Sequence, residues 1–333
     1  MQQKLYNICV VGSGSGGHFY PSLMVSNELA RTNKVFYVVS KNKIDHKQIK
    51  DLNFKYLVLD SLGLKNNFFS FFYYLIKNIF LIKKYLLENK INLVIGFGGN
   101  LSFCLVIAAR LIGIKSIVHE QNAIIGRANK MLLNKTKLLS SYKLKDIDES
   151  LYKIVGSPLV NKKTNQALEH YDIIFVNGSL GSATMNKIIE AYLKEYNDKY
   201  KILFISGNDN YCFANNNIIV KKYVDNLGSF LDSAKLVFTR GGASILAELS
   251  MTTSKVIIIP SPYIVNYHQY YNAVEFKKEY GAEIIKEEDF NKNVINEYVN
   301  KCMNSNFNLR KTVEFDNKLN NFIKEVNYEL KKN

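Results

Sequence analysis

Carboxylates and cysteines are both in short supply in this chain, and each shortage closes off a class of function. Against 44 lysines and arginines stand 29 aspartates and glutamates, a formal charge of +15 at pH 7 across 333 residues. The surface field therefore favours anions, so phosphorylated small molecules, lipid headgroups and nucleic acid all qualify on charge alone. Lys, Asn, Ile, Phe and Tyr are raised together, the pattern of AT-rich coding, and that bias accounts for most of the excess. No RNA- or DNA-binding motif accompanies it, so nucleic acid is not an expected partner. Cys9, Cys104, Cys212 and Cys302 lie far apart, with no C-x-x-C among them. That spacing argues against a disulfide framework and a structural zinc, and it fits a reducing compartment. No apolar run reaches the about 18 residues of a membrane span, and the run before Gly12 is too short for a signal peptide. A cytoplasmic protein is expected.

What the chain has in quantity is one recurring unit: a β-branched run, a glycine turn and a helical pattern. It occurs at 7–18 (NICVVGSGSGGH), 91–102 (INLVIGFGGNLS), 171–182 (YDIIFVNGSLGS) and 234–245 (AKLVFTRGGASI). Continuously apolar strands alternating with helices predict parallel sheets covered on both faces. Further strands are expected at 35–40, 116–119, 201–206 and 255–259. The pattern restarts after KIVGSPLVNKKTNQ (153–166), whose Gly156, Pro158 and polar residues read as a linker. The expected fold class is α/β, two Rossmann-like domains of parallel sheet facing across a cleft. They are placed at 1–157 and 158–315, with a lysine-rich C-terminal helix over 316–333. Glycine loops in such sheets lie at the carboxyl ends of strands, where ligands bind. Two such loops in each domain suit two substrates better than one.

Gly12, Gly14 and Gly17 satisfy the G-x-G-x-x-G fingerprint of dinucleotide-binding folds. That site also needs a carboxylate about 20 residues on, at the end of the second strand, for the ribose hydroxyls. Here the stretch is VFYVVSKNK (35–43), with no acid in it. NAD and FAD are therefore not expected, and no other cofactor or metal is. The loop runs instead into His18 and Pro21, which puts an imidazole at the start of a helix. Imidazole suits a general base for an attacking hydroxyl; contact with a phosphate or bracing of the loop are the alternatives. Ser15 can donate to a phosphate from the same turn. Farther on, Gly241 and Gly242 open a helix whose first N–H groups suit a diphosphate. Glu248 follows Arg240 by two turns, and a surface pair between these two is the competing reading.

GSGSGGHFYPSL (12–23) resembles the G-G-T-G-G-H-x-x-P loop of the MurG family, the UDP-N-acetylglucosamine:lipid I N-acetylglucosaminyltransferases of peptidoglycan synthesis. GFGGNLS (96–102), HEQNAIIGRANK (119–130), NGSLGS (177–182), RGGASILAEL (240–249) and HQYYNA (268–273) resemble the same family in the same order. The resemblance implies an inverting, metal-independent GT-B glycosyltransferase, with an acceptor-side N-terminal domain and a donor-side C-terminal one. UDP-GlcNAc and undecaprenyl-linked lipid I are the implied partners. The implied catalytic residue is His18, and Gly98, Gly99 and Asn100 form the implied acceptor loop. Donor contacts are implied for Ser15, Gly16, Gly17, Asn122, Ser179, Arg240, Gly242, Ser244, Ile245, Glu248, His268 and Gln269. Among these, Glu248 is assigned to the uridine ribose, residues 242–245 to the diphosphate and Gln269 to the donor sugar. The chain departs from the family pattern at Asn100 (usually aromatic), Val160 (arginine), Leu180 (glutamine) and His268 (glutamine). His119 and Glu120 read equally as a buried structural pair.

The segment KNNFFSFFYYLIKNIFLIKKYLLENK (65–90) holds eight Phe and Tyr and five Lys, with Glu88 its only acid. Lys77 and Asn78 interrupt it too early for a membrane span. An apolar patch rimmed by lysines is the footprint of contact with an anionic membrane; a domain helix burying a wide apolar side is the alternative. Phe71, Phe72, Tyr74, Lys77, Lys83 and Lys84 are the expected contacts. A membrane-embedded acceptor lipid, as the resemblance implies, would place the protein peripherally on the inner face of the cell membrane. Two other functions compete: a UDP-GlcNAc 2-epimerase-like enzyme sharing the two-domain fold, and a diverged, inactive membrane-binding homologue.

Overall fold

The computed structural model describes residues 4–41, 43–50, 52–60, 68–159, 169–178, 181–196, 200–207, 210–224, 227–304 and 316–332. The chain divides into two compact units, Met1–Leu159 with Asp316–Asn333, and Val160–Phe315. In the first, β1 (Asn7–Val11), α1 (Gly16–Leu29), β2 (Lys34–Ser40), α2 (Ile44–Ile49) and β3 (Lys55–Leu59) lead into α3 (Phe68–Glu88). Then follow β4 (Leu93–Gly96), α4 (Gly99–Arg110), β5 (Lys115–Glu120), α5 (Arg127–Met131), β6 (Lys137–Ser140) and β7 (Tyr152–Ile154). The second holds β8 (Ile173–Val176), α6 (Ala183–Lys194), β9 (Ile202–Ile205), β10 (Ile218–Lys221), α7 (Leu227–Leu231) and β11 (Leu236–Thr239). It continues with α8 (Ala243–Leu249), β12 (Lys255–Ile258), α9 (His268–Tyr280), β13 (Glu283–Ile284) and α10 (Lys292–Asn304). Finally α11 (Asp316–Lys331) belongs to the first unit.

Both sheets are parallel, as the apolar runs predict. The first is ordered β3-β2-β1-β4-β5-β6-β7 and the second β10-β9-β8-β11-β12-β13. Each reverses direction beside its first strand, between β1 and β4 and between β8 and β11, and loops at that switch are where such sheets bind ligands. Successive side chains leave a strand on opposite faces. Thus Ile174 and Val176 of β8 enter one apolar cluster while Ile173 and Phe175 enter another. The linker reading of 153–166 needs one correction. Lys153 and Ile154 belong to edge strand β7, paired with Leu139 and Ser140, and residues 160–168 lie outside the described part.

Helix α3 is amphipathic with an inverted outer face. Ile82, Tyr85 and Leu86 are buried in a cluster shared with Leu101, Leu105 and Ala108 of α4. On the other side Phe69 is 81% exposed, Phe80 65% and Tyr73 61%, with Phe72 and Ile76 also open. Helical spacing at i, i+3, i+4, i+7 and i+11 puts these five on one stripe. Phe71 and Tyr74 are half-buried, whereas Lys77 and Lys84 are exposed and Lys83 is half-buried. The Lys77 ammonium lies 5.8 Å from the Tyr73 ring centre and 5.6 Å from that of Tyr74. Among the described residues no helix is long and apolar enough to cross a membrane.

Helix α11 completes the first unit. Its Phe322 is fully buried, stacked on Phe97 at 5.6 Å and set edge-on to His119 at 5.5 Å. Lys137 of β6 bridges Glu325 and Glu329, and Lys153 of β7 also reaches Glu325.

Candidate active site

In the first unit the glycine loops after β1 and β4 converge on one side chain. A Cβ on Gly12 would lie 2.2 Å from Ser22 Oγ, so only glycine lets α1 start this close to the strand. Ser15 ends the loop, and its carbonyl accepts from the His18 and Phe19 N–H groups, opening α1. His18 stands one turn in, half-buried, with Nδ1 3.3 Å from the Ser13 carbonyl. Its other nitrogen faces the second loop, since a Cβ on Gly98 would lie 3.1 Å from Nε2. A side chain at position 98 would fill that space, and Gly98 also holds φ at +97°, which L side chains rarely adopt. Gly99 and Asn100 begin α4 immediately after it. The structure thus brings Ser15, Gly16, Gly17 and His18 together with Gly98, Gly99 and Asn100. Sequence reasoning missed Asp45 of α2, whose carboxylate accepts from the Ser40 N–H at 2.6 Å and the Gly14 N–H at 3.5 Å. No acid lies within 35–43, as read; the chain folds back to supply one two residues later.

At the end of β5, His119 and Glu120 are both buried but do not pair with each other. His119 is enclosed by Phe97 and Phe322, with Nε2 3.2 Å from the Gly156 carbonyl. Burial pushes its pKa down to about 4, so it is neutral at pH 7. Glu120 organises the turn that follows, accepting from the N–H groups of Asn122 and Gly126 and from the Asn122 and Asn129 amides. Asn122 is thereby fixed in place, half-buried.

In the second unit the loop after β11 is seated on α9. A Cβ on Gly241 would lie 2.2 Å from the Gln269 carbonyl oxygen, and Asn272 donates to the Gly241 carbonyl at 3.1 Å. Gly242 is the N-cap of α8, which carries Ser244, Ile245 and Glu248. Gln269 accepts from the Ser261 N–H through Oε1, so its amide NH₂ is the part that remains to donate. His268 is half-buried, with Nδ1 3.0 Å from the Val265 carbonyl.

Arg240 does not pair with Glu248. It is buried and donates to Glu287 at 2.7 Å, to the Ile259 carbonyl at 3.0 Å and to Ser182 Oγ. It therefore ties three segments of the unit together at the carboxyl ends of its strands. Glu248 is half-buried, and desolvation lifts its carboxyl to about pKa 7, partly offset by the Gly228 N–H. Ser179, Leu180 and Val160 lie outside the described residues. Among the described residues no group of three or more His, Cys, Asp or Glu could hold a metal ion.

Comparison with known proteins covers both units. Residues 8–138 match the glycosyltransferase family 28 N-terminal domain, and 173–326 match the family 28 C-terminal domain. A relative from Lactiplantibacillus plantarum is 30% identical over 319 residues, 85% of this chain and 86% of its own. One from Thermosipho melanesiensis is 28% identical over 98% of this chain and all of its own. Both carry the name UDP-N-acetylglucosamine–N-acetylmuramyl-(pentapeptide) pyrophosphoryl-undecaprenol N-acetylglucosamine transferase. Among solved structures, Acinetobacter baumannii MurG superposes with a TM-score of 0.76 at 24% identity, covering 98% of this chain and all of that one.

Proposed function

Because the chain belongs to glycosyltransferase family 28, we propose that it transfers N-acetylglucosamine from UDP-GlcNAc to the muramoyl 4-hydroxyl of undecaprenyl-linked lipid I, forming lipid II of peptidoglycan synthesis. The observation that carries the reading is His18, held between two glycine loops with Nε2 facing Gly98. His18 is the general base. Nε2 takes the proton of the acceptor hydroxyl as its oxygen bonds to the anomeric carbon, and the carbon–oxygen bond to the diphosphate breaks with inversion. UDP leaves with that electron pair. Gly98, Gly99 and Asn100 border the acceptor oxygen, and Ser15, Gly16 and Gly17 offer donors beside it. In the second unit Glu248 accepts from the uridine ribose, Gly242, Ser244 and Ile245 hold the diphosphate, and Gln269 with His268 meets the sugar. Ser179 and Asn122 complete the donor contacts. Arg240, engaged with Glu287, keeps the loop around Gly241 in place.

The acceptor's lipid calls for a surface, and α3 supplies one. Its open stripe of Phe69, Phe72, Tyr73, Ile76 and Phe80, flanked by Lys77, Lys83 and Lys84, docks on the anionic inner face of the cell membrane. The family match and the names of the relatives favour transfer over 2-epimerisation. Radiolabelled UDP-GlcNAc with dispersed lipid I decides between them. Label moving into the lipid supports the transferase, whereas conversion of UDP-GlcNAc without acceptor would sink it.

A further inference from the structure

The transferase reading leaves Asp45 without a task, yet the residue is only 1% exposed. A carboxylate is rarely buried to that degree unless its oxygens are used. One oxygen takes the Ser40 N–H at 2.6 Å; the other takes the Gly14 N–H at 3.5 Å, a long hydrogen bond. The N–H of Gly14 and the C=O of Ser13 are two ends of a single peptide group. The far end of that group is met by His18 Nδ1 at 3.3 Å. A carbonyl oxygen can only accept, so Nδ1 carries the proton, and Nε2, facing Gly98, bears the lone pair. A peptide whose N–H is given to a carboxylate has a more negative carbonyl, which strengthens its hold on the imidazole N–H. Gly14 makes the arrangement possible, because its φ of +97° turns that peptide relative to the helix that follows.

We infer that Asp45 is a positioning residue for His18, acting through the peptide between Ser13 and Gly14 to hold the imidazole with its proton on Nδ1 and Nε2 as the proton acceptor. When the acceptor hydroxyl gives its proton to Nε2, the ring becomes an imidazolium hydrogen-bonded to the polarised carbonyl. Asp45 takes no proton. Its burial raises the carboxyl pKa, while N–H groups of Ser40, Asp45 itself, Gly14 and His46 pull it back toward the ionised form. The inference rests on the transferase reading for what Nε2 accepts, but the tautomer stands apart from it.

Nitrogen-15 NMR of the histidine rings tests the relay directly, with His18 signals identified by their loss in His18→Gln. The parent should show a protonated Nδ1 and an unprotonated Nε2. In Asp45→Asn, which keeps the side-chain shape and removes the charge, the Nε2–H form should appear. Its kcat should fall about tenfold, part of the roughly 10²–10⁴-fold that a general base supplies, with the UDP-GlcNAc KM unchanged. Gly14→Ala covers the case in which Asp45→Asn does not fold. A Cβ there meets nothing within 4 Å, but the backbone angle is unfavourable, so the peptide should turn and give the same two changes. Retention of the Nδ1–H form in every folded variant overturns the inference. A shifted tautomer in a protein that never transfers GlcNAc would leave the relay standing and remove the transferase reading instead.

Discussion

The two units build the same device, glycine loops at the strand switch, and equip it in opposite ways. In the first, charge stands behind the loop. The Asp45 carboxylate accepts from the backbone N–H groups of Ser40 and Gly14, and the His18 ring lies against Gly98, Gly99 and the Ser13 carbonyl. In the second, charge stands at the loop. Arg240 is locked by Glu287 next to Gly241, and Glu248 sits on the helix that Gly242 opens. The difference fits the tasks proposed for them. A general base needs its accepting nitrogen aimed at the proton it takes, and a carboxylate set behind the peptide can help hold it there without competing for that proton. A site for a diphosphate nucleotide works best with donors and acceptors fixed before the ligand arrives.

The comparison breaks most sharply at His18. His18→Ala should lower kcat by roughly 10²–10⁴-fold with little change in the KM for UDP-GlcNAc. A phosphate-binding role would instead raise KM and spare much of kcat, which steady-state kinetics would reveal. Next in size is Arg240→Met, expected to act on folding. It strands the buried Glu287 carboxylate, a loss of about 3–5 kcal/mol, read as a fall in the denaturant midpoint. Replacing Glu287 by leucine in the same chain should recover part of that loss. An unchanged midpoint in the single variant would mean the pair holds nothing together.

Glu248 sharpens the contrast through pH. Glu248→Ala should weaken UDP binding about tenfold or more, since a hydrogen bond to a charged group contributes about 1.5–3 kcal/mol. With its carboxyl lifted to about 7, the parent should bind UDP more tightly as pH rises from 6 to 8, and Glu248→Gln should show no such trend by calorimetry. Stability runs the other way. A carboxyl whose pKa is raised by folding stabilises fully at low pH, and that contribution is lost as pH climbs through about 7. The smallest effect concerns α3. Lys77, Lys83 and Lys84 changed to Gln should each cost about 1 kcal/mol of binding to phosphatidylglycerol vesicles, mostly at low salt. Phe69, Tyr73 and Phe80 changed to Ser should leave residual binding that is strongly salt-sensitive. Equal sedimentation of the folded Gln variant and the parent at every salt concentration would free α3 from the membrane.

The central strands were legible because burial on both faces demands uninterrupted apolar runs, as in Ile8 to Val11 and in β8. Strands β3, β7, β10 and β13 lie at sheet edges, where lysine and glutamate are tolerated and the run is diluted. The four glycine loops were legible one by one. That the loop at Gly98 meets His18 was not, for nothing local relates residues eighty positions apart. Asp45 escaped for a different reason: it sits on a helix past the strand, and only the fold-back of α2 brings it to Gly14. In α3 the composition is so apolar that it does not set the phase of the helix. Packing on α4 does, turning Ile82 and Leu86 inward and leaving Phe69 and Phe80 in the open.

The placement of α11 bears on the order in which this chain can mature on the ribosome. The first unit needs Phe322 to close over Phe97 and His119, and Glu325 and Glu329 to engage Lys137. Those residues emerge only after the whole of Val160–Phe315 has been synthesised, a delay on the order of ten seconds or more at ordinary rates. The half of the protein that is translated first is therefore finished last, and a nascent chain must keep the ring of Phe97 and its neighbours uncovered until its own tail arrives.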